Sequence, residues 1–421
     1  MIDRAFKGND MISKRQFLGT TTAIAGLAML GPVARAADAP SFGPPVAPIT
    51  PAEHAARVAK LQGLMRAAGI GALVIEAGSG LVYFTGIEWH TSERVTAAVI
   101  PAEGDAVIVT PAFEEPSVRE TLRIAADVRP WNEDDSPAAL IARVLTDRKL
   151  AQARIAVDRG VRFFVVDALR RAMPDAAIVA GEALVNQCRQ IKSSAELALL
   201  QRANAITLAA MRAVHGQIAP GMTQHDIAAL MDRTSGLMGG PSEFSLILLG
   251  EASAYPHGSR QPQVVREGTV VLMDCGAVLH GYQSDISRTF VYGEPTPRQR
   301  KVWNTVRRGQ DIALETAKIG VPVGTIDDAV RAFYTREGWG PGYHLPGLSH
   351  RTGHGIGLDG HESPYLVHGD ATPLAPGMCF SDEPGIYIPG EFGIRLEDCW
   401  HMTERGPQTF TPLARSIDDP V

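Results

Sequence analysis

The chain has 421 residues, enough for two domains with full hydrophobic cores. Hydrophobic residues make up 45% and charged residues 20%, which excludes a disordered or fibrous chain and fits an ordinary globular protein. A net charge of −6 without a basic block excludes a nucleic-acid footprint, and four scattered cysteines (Cys188, Cys275, Cys379, Cys399) exclude a disulfide framework or a zinc ribbon.

The N-terminus reads as an export signal. Met11-Ile12-Ser13-Lys14-Arg15-Gln16-Phe17-Leu18 precedes an apolar run from Ala23 to Leu30, and Ala34-Arg35-Ala36 offers a small-x-small cleavage site. The run is too short for an ordinary transmembrane helix, so no stable membrane span is expected after cleavage. The segment resembles a twin-arginine signal in which Lys14 replaces the first arginine; a Sec signal or an uncleaved anchor are the other readings. Residues 1–36 are thus read as the signal and residues 37–50 as a Pro-rich extended linker, with a periplasmic or exported mature protein.

Thr50-Pro51-Ala52-Glu53 then starts a helix, with a capping box and proline in the first turn, and Val58, Leu61, Leu64 and Met65 give it one apolar face. Strands are expected at Ala72–Glu76, Val95–Ile100, Ala106–Thr110 and Arg154–Asp158, and helices near Glu115–Ile124 and Phe163–Ala172. Together they make an α/β domain over residues 51–188.

Ser193-Ser194-Ala195-Glu196 caps a long helix running to about His215 and opens a second domain, residues 189–415. Within it the chain repeats itself. Pro220-Gly221-Met222-Thr223-Gln224-His225-Asp226 is echoed by Pro322-Val323-Gly324-Thr325-Ile326-Asp327-Asp328, each a turn followed by a Thr-x-x-Asp helix start. Each copy follows a long helix and precedes a hairpin. Two such halves imply pseudo-twofold symmetry, with one acidic hairpin from each half at a central cleft.

The acids are specific. Asp274 and Asp285 flank a Gly-containing turn, as do Glu383 and Glu397, and both segments alternate apolar and polar residues like β-hairpins. Between them lies His350-Arg351-Thr352-Gly353-His354-Gly355-Ile356-Gly357-Leu358-Asp359-Gly360-His361-Glu362, whose glycines bare the backbone for close approach. Four carboxylates with no cation would repel one another and resist burial. Four carboxylates with one histidine suit two adjacent divalent ions. An oxygen-rich set with one imidazole suits manganese best; cobalt, iron and zinc are also accommodated. Cys379 and Cys399 lie on the two arms of the last hairpin, as a bridge or as buried free thiols.

These motifs resemble the pita-bread metallopeptidases: X-prolyl aminopeptidase, prolidase, methionine aminopeptidase and their non-peptidase relative creatinase. The resemblance covers roughly residues 50–415 and implies a creatinase-like α/β N-terminal domain before an α+β pita-bread catalytic domain with pseudo-twofold symmetry. The family's ligands, Asp, Asp, His, Glu and Glu, fall in order on Asp274, Asp285, His354, Glu383 and Glu397. The His-x6-His pair (His354, His361), the Glu-Pro-Gly and the Arg-x-Glu match as well. By resemblance, Asp274 binds one metal, His354 and Glu383 the other, and Asp285 and Glu397 bridge. Glu383 is then the proton acceptor, His361 hydrogen-bonds the tetrahedral intermediate and His257 contacts substrate near the leaving amine. His350 and Arg395 support the ligands from behind. The implied reaction is hydrolysis of X–Pro bonds in a peptide or dipeptide. C–N hydrolysis or a lyase reaction on a small metabolite is the alternative. The family also implies a homo-oligomer, dimer or tetramer, formed through the N-terminal domain. There the polar and aromatic stretch Glu88–Arg94 is either lent to a neighbour's site or a plain loop.

Overall fold

The computed structural model describes residues 42–421; the export signal expected over residues 1–36 and the start of the linker lie outside them. The described part of the linker has no regular structure, as expected, but it is tied down. Arg202 donates to the carbonyls of Phe42 and Pro44, and Val46 and Ile49 pack on the core.

The N-terminal domain runs α1 (Pro51–Ala67), β1 (Ala72–Glu76), α2 (Ser79–Thr85), β2 (Ala97–Pro101), β3 (Ala106–Pro111), α3 (Glu115–Thr121), β4 (Ala126–Trp131), α4 (Pro137–Asp147), β5 (Arg154–Val157), α5 (Phe163–Ala172), β6 (Ala177–Ala180) and α6 (Glu182–Arg189). Its six strands form one sheet in the order β4-β3-β2-β1-β5-β6. The pairs β1–β2 and β2–β3 are antiparallel, while β4, β5 and β6 join in parallel. Every residue of β1, β2 and β3 is buried. Alternate residues supply two different cores: Leu73, Ile75, Ile100 and Ile108 face α1 and the second domain, whereas Val74, Val99, Val107 and Val109 face α4 and α5. A sheet covered on both faces gives continuous apolar runs instead of alternation. The expected capping box on α1 is only half made. Thr50 Oγ1 accepts from the Glu53 N–H, but the Glu53 carboxylate turns to Arg57 and Ser193 instead.

The second-domain elements are α7 (Ser194–His215), α8 (Gln224–Leu237), β7 (Ser242–Leu249), β8 (Val270–Leu279), β9 (Tyr282–Gln283), β10 (Ile286–Val291), α9 (Pro297–Thr316), α10 (Gly324–Arg336), β11 (Gly353–Gly355), β12 (Glu362–Leu366), β13 (Cys379–Asp382), β14 (Gly385–Ile388), β15 (Phe392–Arg395), β16 (Asp398–Thr403) and β17 (Gly406–Thr409). The first half builds the sheet β10-β8-β7, with β9 on the end of β8. The second builds β12-β11-β13-β16-β17 and a separate β14–β15 hairpin. Capping boxes form at Ser193/Glu196 and Thr223/Asp226. The second member of the repeat departs from this: α10 starts at Gly324 with no side-chain cap, and Thr325 lies inside the helix. Two causes are visible. A Cβ on Gly324 would meet the Val367 carbonyl at 2.6 Å, and Asp327 is drawn inward to bind Thr352 and Arg331.

The two halves meet where Ser287 and Glu397 pair as an isolated antiparallel bridge, exchanging N–H···O bonds of 3.2 and 3.0 Å. All four cysteines are free and buried. Cys379 lies opposite His401 and Cys399 opposite Ser381, so these two thiols are out of register. Among the described residues no helix is long and apolar enough to cross a membrane.

Candidate active site

Asp274 sits in β8 directly opposite Ser287, and Asp285 immediately precedes β10. The second acidic pair is built differently from the expected single hairpin. β13 pairs with β16 and β14 with β15, so Glu383 and Glu397 stand at the break between two ladders. Pro384, which has no N–H to give, enforces that break after Glu383. Between the acids runs β11, Gly-His-Gly. A Cβ at Gly353 would meet the Ser381 carbonyl at 2.2 Å, and one at Gly355 the Glu362 carbonyl at 2.4 Å. Only glycine lets the strand carrying His354 fit between its neighbours.

All nine residues expected at the site, Asp274, Asp285, His354, Glu383, Glu397, His257, His350, His361 and Arg395, line one cavity of about 540 Å³. His354 Nδ1 lies 3.1 Å from the Gly355 carbonyl. A carbonyl only accepts, so Nδ1 carries the proton and Nε2 presents a lone pair. That lone pair faces Glu383 Oε1 at 3.4 Å, Asp285 Oδ2 at 3.7 Å and Glu397 Oε1 at 4.0 Å. Burial pushes the imidazole down to about 3, so it brings no proton to these oxygens.

The carboxylates show the same deficit. Asp285 Oδ1 and Glu397 Oε1 are buried with no hydrogen-bond partner. Burial, reinforced by the neighbouring acids, holds both carboxyls well above the usual range, and burial raises Glu383 to about 8. Ligand atoms lie within 4.8 Å of one another in three overlapping groups: His354, Glu383 and Glu397; Asp274, Asp285 and Glu397; and Asp285, His354 and His361. Lone pairs converging on lone pairs fit divalent cations.

Behind the acids is a support that the sequence reading only partly anticipated. Arg395 donates to Asp274, to Ser287 Oγ (3.0 Å) and to the Tyr387 hydroxyl (3.1 Å). Ser287 Oγ lies 3.0 Å from Asp274 Oδ1 and 2.8 Å from Glu397 Oε2, so its single proton ties one hairpin to the other. His350 Nδ1 donates to the Arg351 carbonyl (2.8 Å), leaving Nε2 to accept from Tyr387 Oη at 2.7 Å. Burial keeps this ring neutral as well, pushed down to about 3. His361 is exposed, its ring 3.8 Å from that of His354, and His257 is exposed on the wall beside Pro256. Ser287 could have been found by counting hairpin partners across from Asp274. Tyr387 left no such signal.

Residues 198–404 match metallopeptidase family M24, and residues 57–191 match the creatinase/prolidase N-terminal domain. The chain is 34% identical over 363 residues to a probable dipeptidase PepE of Mycobacterium tuberculosis, covering 84% of this chain and 93% of that one. The chain belongs to metallopeptidase family M24. A second relative, an Xaa-Pro dipeptidase of Lactobacillus helveticus, is 32% identical over 340 residues, 80% of this chain and 91% of that one. The crystal structure of dipeptidase PepE from Mycobacterium ulcerans superposes with a TM-score of 0.80 at 32% identity, covering 87% of this chain and 97% of that one. The architecture is therefore a creatinase-type α/β domain followed by an M24 pita-bread domain, and M24 membership implies divalent metal ions.

Proposed function

We propose that this M24 enzyme hydrolyses X–Pro peptide bonds, as a dipeptidase or aminopeptidase, with two divalent ions held by Asp274, Asp285, His354, Glu383 and Glu397. In this reading Asp274, Asp285, Glu383 and Glu397 would hold the ions through carboxylate oxygens and His354 through its Nε2 lone pair. Manganese suits the oxygen-rich set best. The observation that carries the reading is the His354 lone pair aimed at three carboxylate oxygens.

When bound, the ion pair supplies Lewis acidity to the scissile carbonyl and to an attacking water. The protein does the rest. Glu383 accepts the water's proton and returns it to the departing proline nitrogen. His361, at the open face of the cavity, donates to the oxygen that becomes negative. His257 positions the ring amine as it leaves. Arg395 and Ser287 fix the carboxylates so that none rotates out of place. An X–Pro bond lacks the N–H that most peptidases grip, so activation from the carbonyl side suits it. Relatives named Xaa-Pro dipeptidase support the same substrate class.

We further propose an exported enzyme that forms a homo-oligomer through its N-terminal domain. Cell fractionation with N-terminal sequencing tests the first, with a start near Ala37 expected. Sedimentation tests the second, with a monomer refuting it. The central experiment is a panel of Ala-Pro, Ala-Pro-Ala, Ala-Ala-Ala and Met-Ala-Ser, assayed after chelation and after return of each metal. Chelation should abolish cleavage, and manganese or cobalt should restore it for the first two peptides. Full activity in metal-free protein would refute the metal reading. No cleavage of either proline peptide with both ions bound would replace peptides by a small metabolite.

A further inference from the structure

Helix α10 carries two acids side by side, and the fold uses them differently. Asp328 is exposed and lies 2.6 Å from His368 Nδ1. Asp327 is fully buried, and each of its oxygens takes two donors. Oδ1 accepts from the N–H and the hydroxyl of Thr352 at 3.0 and 2.8 Å. Oδ2 accepts from Arg331 Nε at 2.7 Å and from the His368 N–H at 3.1 Å. A buried carboxylate with four donors, one of them charged, is held firmly and holds its donors firmly in return.

Two of those donors lead to the acids and imidazole of the cavity. The Thr352 carbonyl accepts from the Glu383 N–H at 2.8 Å, so Glu383 hangs on the residue that Asp327 clamps. Arg331 gives its other N–H groups to the carbonyls of Gly342 (2.7 Å), Leu348 (3.0 Å) and His350. His350 in turn accepts from Tyr387, which also takes an N–H from Arg395, and Arg395 reaches Asp274. The clamped segment runs straight into β11, whose Gly-His-Gly has only the His354 side chain with which to pack. Glycine leaves a backbone free to wander unless something outside the strand holds it. An asparagine in place of Asp327 could not do so. Whichever way its amide turned, its N–H groups would face either the Thr352 donors or those of Arg331 and His368.

Resting on the metal reading above, we propose that Asp327 is a positioning residue for the metal centre. It touches none of the five candidate ligands. Through Thr352 and Arg331 it sets where Glu383 and His354 stand, and thereby how tightly divalent ions are held. Outer partners of this kind commonly govern metal affinity by fixing ligand orientation.

The test is Mn2+ calorimetry on the chelated full chain, with the urea midpoint measured beside it and kcat and KM for Ala-Pro in metal-saturated protein. Asp327→Asn should weaken Mn2+ binding by about 10- to 100-fold. It should lower kcat and leave KM within about twofold, because substrate never touches Asp327. Thr352→Val deletes one of the four bonds and keeps the Asp327–Arg331 pair, so Mn2+ should weaken by about two- to tenfold. Asp328→Asn removes the same charge one residue away, at the surface, and should leave Mn2+ binding within about twofold. Val330→Ala opens a cavity beneath the same helix and should lower the urea midpoint without weakening Mn2+. Mn2+ affinity at the wild-type level in folded D327N, or in T352V, would overturn the role of Asp327. So would a V330A protein that loses as much Mn2+ affinity as D327N, since loosening of the helix would then explain both. If D327N does not fold, T352V decides. A chelated wild type that takes up no divalent ion overturns the metal reading and this proposal with it.

Discussion

Glu362 and Glu397 are both almost fully buried, at 4% and 2% exposure, yet they keep opposite electrostatic company. Lys192 and Arg189 both donate to Glu362, and Arg189 also reaches Asp359 at 3.0 Å. Burial alone would raise the Glu362 carboxyl, but the two cations outweigh it and hold it below the usual range. Around Glu397 stand Asp285, Glu383 and Asp274, with Arg395 Nε 3.9 Å away, and burial plus the repulsion of the acids outweighs that cation and drives the carboxyl well up. One cluster carries its own cations and joins the two domains. The other is shaped for cations taken from solution. Buried acids alone therefore say little; what separates structure from function is whether the chain itself supplies the counter-charge.

The contrast can be broken at either end. Glu383→Gln should do most, since it removes a ligand charge and the proton acceptor together. We expect kcat to fall by about 10²- to 10⁴-fold or more, with lower metal content by elemental analysis. An unchanged rate would remove Glu383 from catalysis.

Glu362→Gln attacks the self-sufficient cluster and should cost stability instead. Leaving Arg189 and Lys192 buried without their acid should cost about 3–5 kcal/mol, read as a lower urea midpoint. The effect should depend on pH. Because the folded carboxyl titrates below its unfolded value of about 4.3, its stabilisation is complete above that value and is lost as pH falls through the folded one. Wild type and variant should therefore converge in acid, and a gap that stays constant down to the lowest accessible pH would count against the assignment.

His361→Ala should lower kcat by about 10²- to 10³-fold, as for loss of one oxyanion donor, and leave stability nearly unchanged because the ring is exposed. A pure KM effect would move His361 to ground-state binding. Tyr387→Phe is the mildest change. It deletes the hydroxyl that links His350 to Arg395 and should cost about 1 kcal/mol, seen as a small drop in thermal midpoint.

Much of this is legible in the sequence. Nine residues that share the cavity are named by the sequence, the acids and the histidine stretch through their glycine and acid spacings and His257, His350, His361 and Arg395 through family resemblance, and β1 and β3 are named because their apolar runs are unmistakable. Helix α2 and strand β4 were missed for the opposite reason. Ser79–Thr85 is a short, buried helix without periodicity, and Ala126–Trp131 has charged positions that only its place at the sheet edge explains. Thr325 shows where local pattern misleads. Its Thr-x-x-Asp looks like a cap, but tertiary demand for Asp327 overrides it. Ser287 stands one hairpin count from Asp274, whereas Tyr387 leaves no local signal because its partner His350 comes from a distant part of the chain.

The bridge between Ser287 and Glu397 has a consequence for the life history of the enzyme. These residues are 110 positions apart, and the chain between them includes α9, α10 and the histidine stretch. An emerging chain that has displayed Asp274 and Asp285 still lacks the imidazole and both glutamates. Neither triad that contains Glu397 can form until the second half has docked on the first. The full ligand set is therefore assembled only when both halves of the domain are in place.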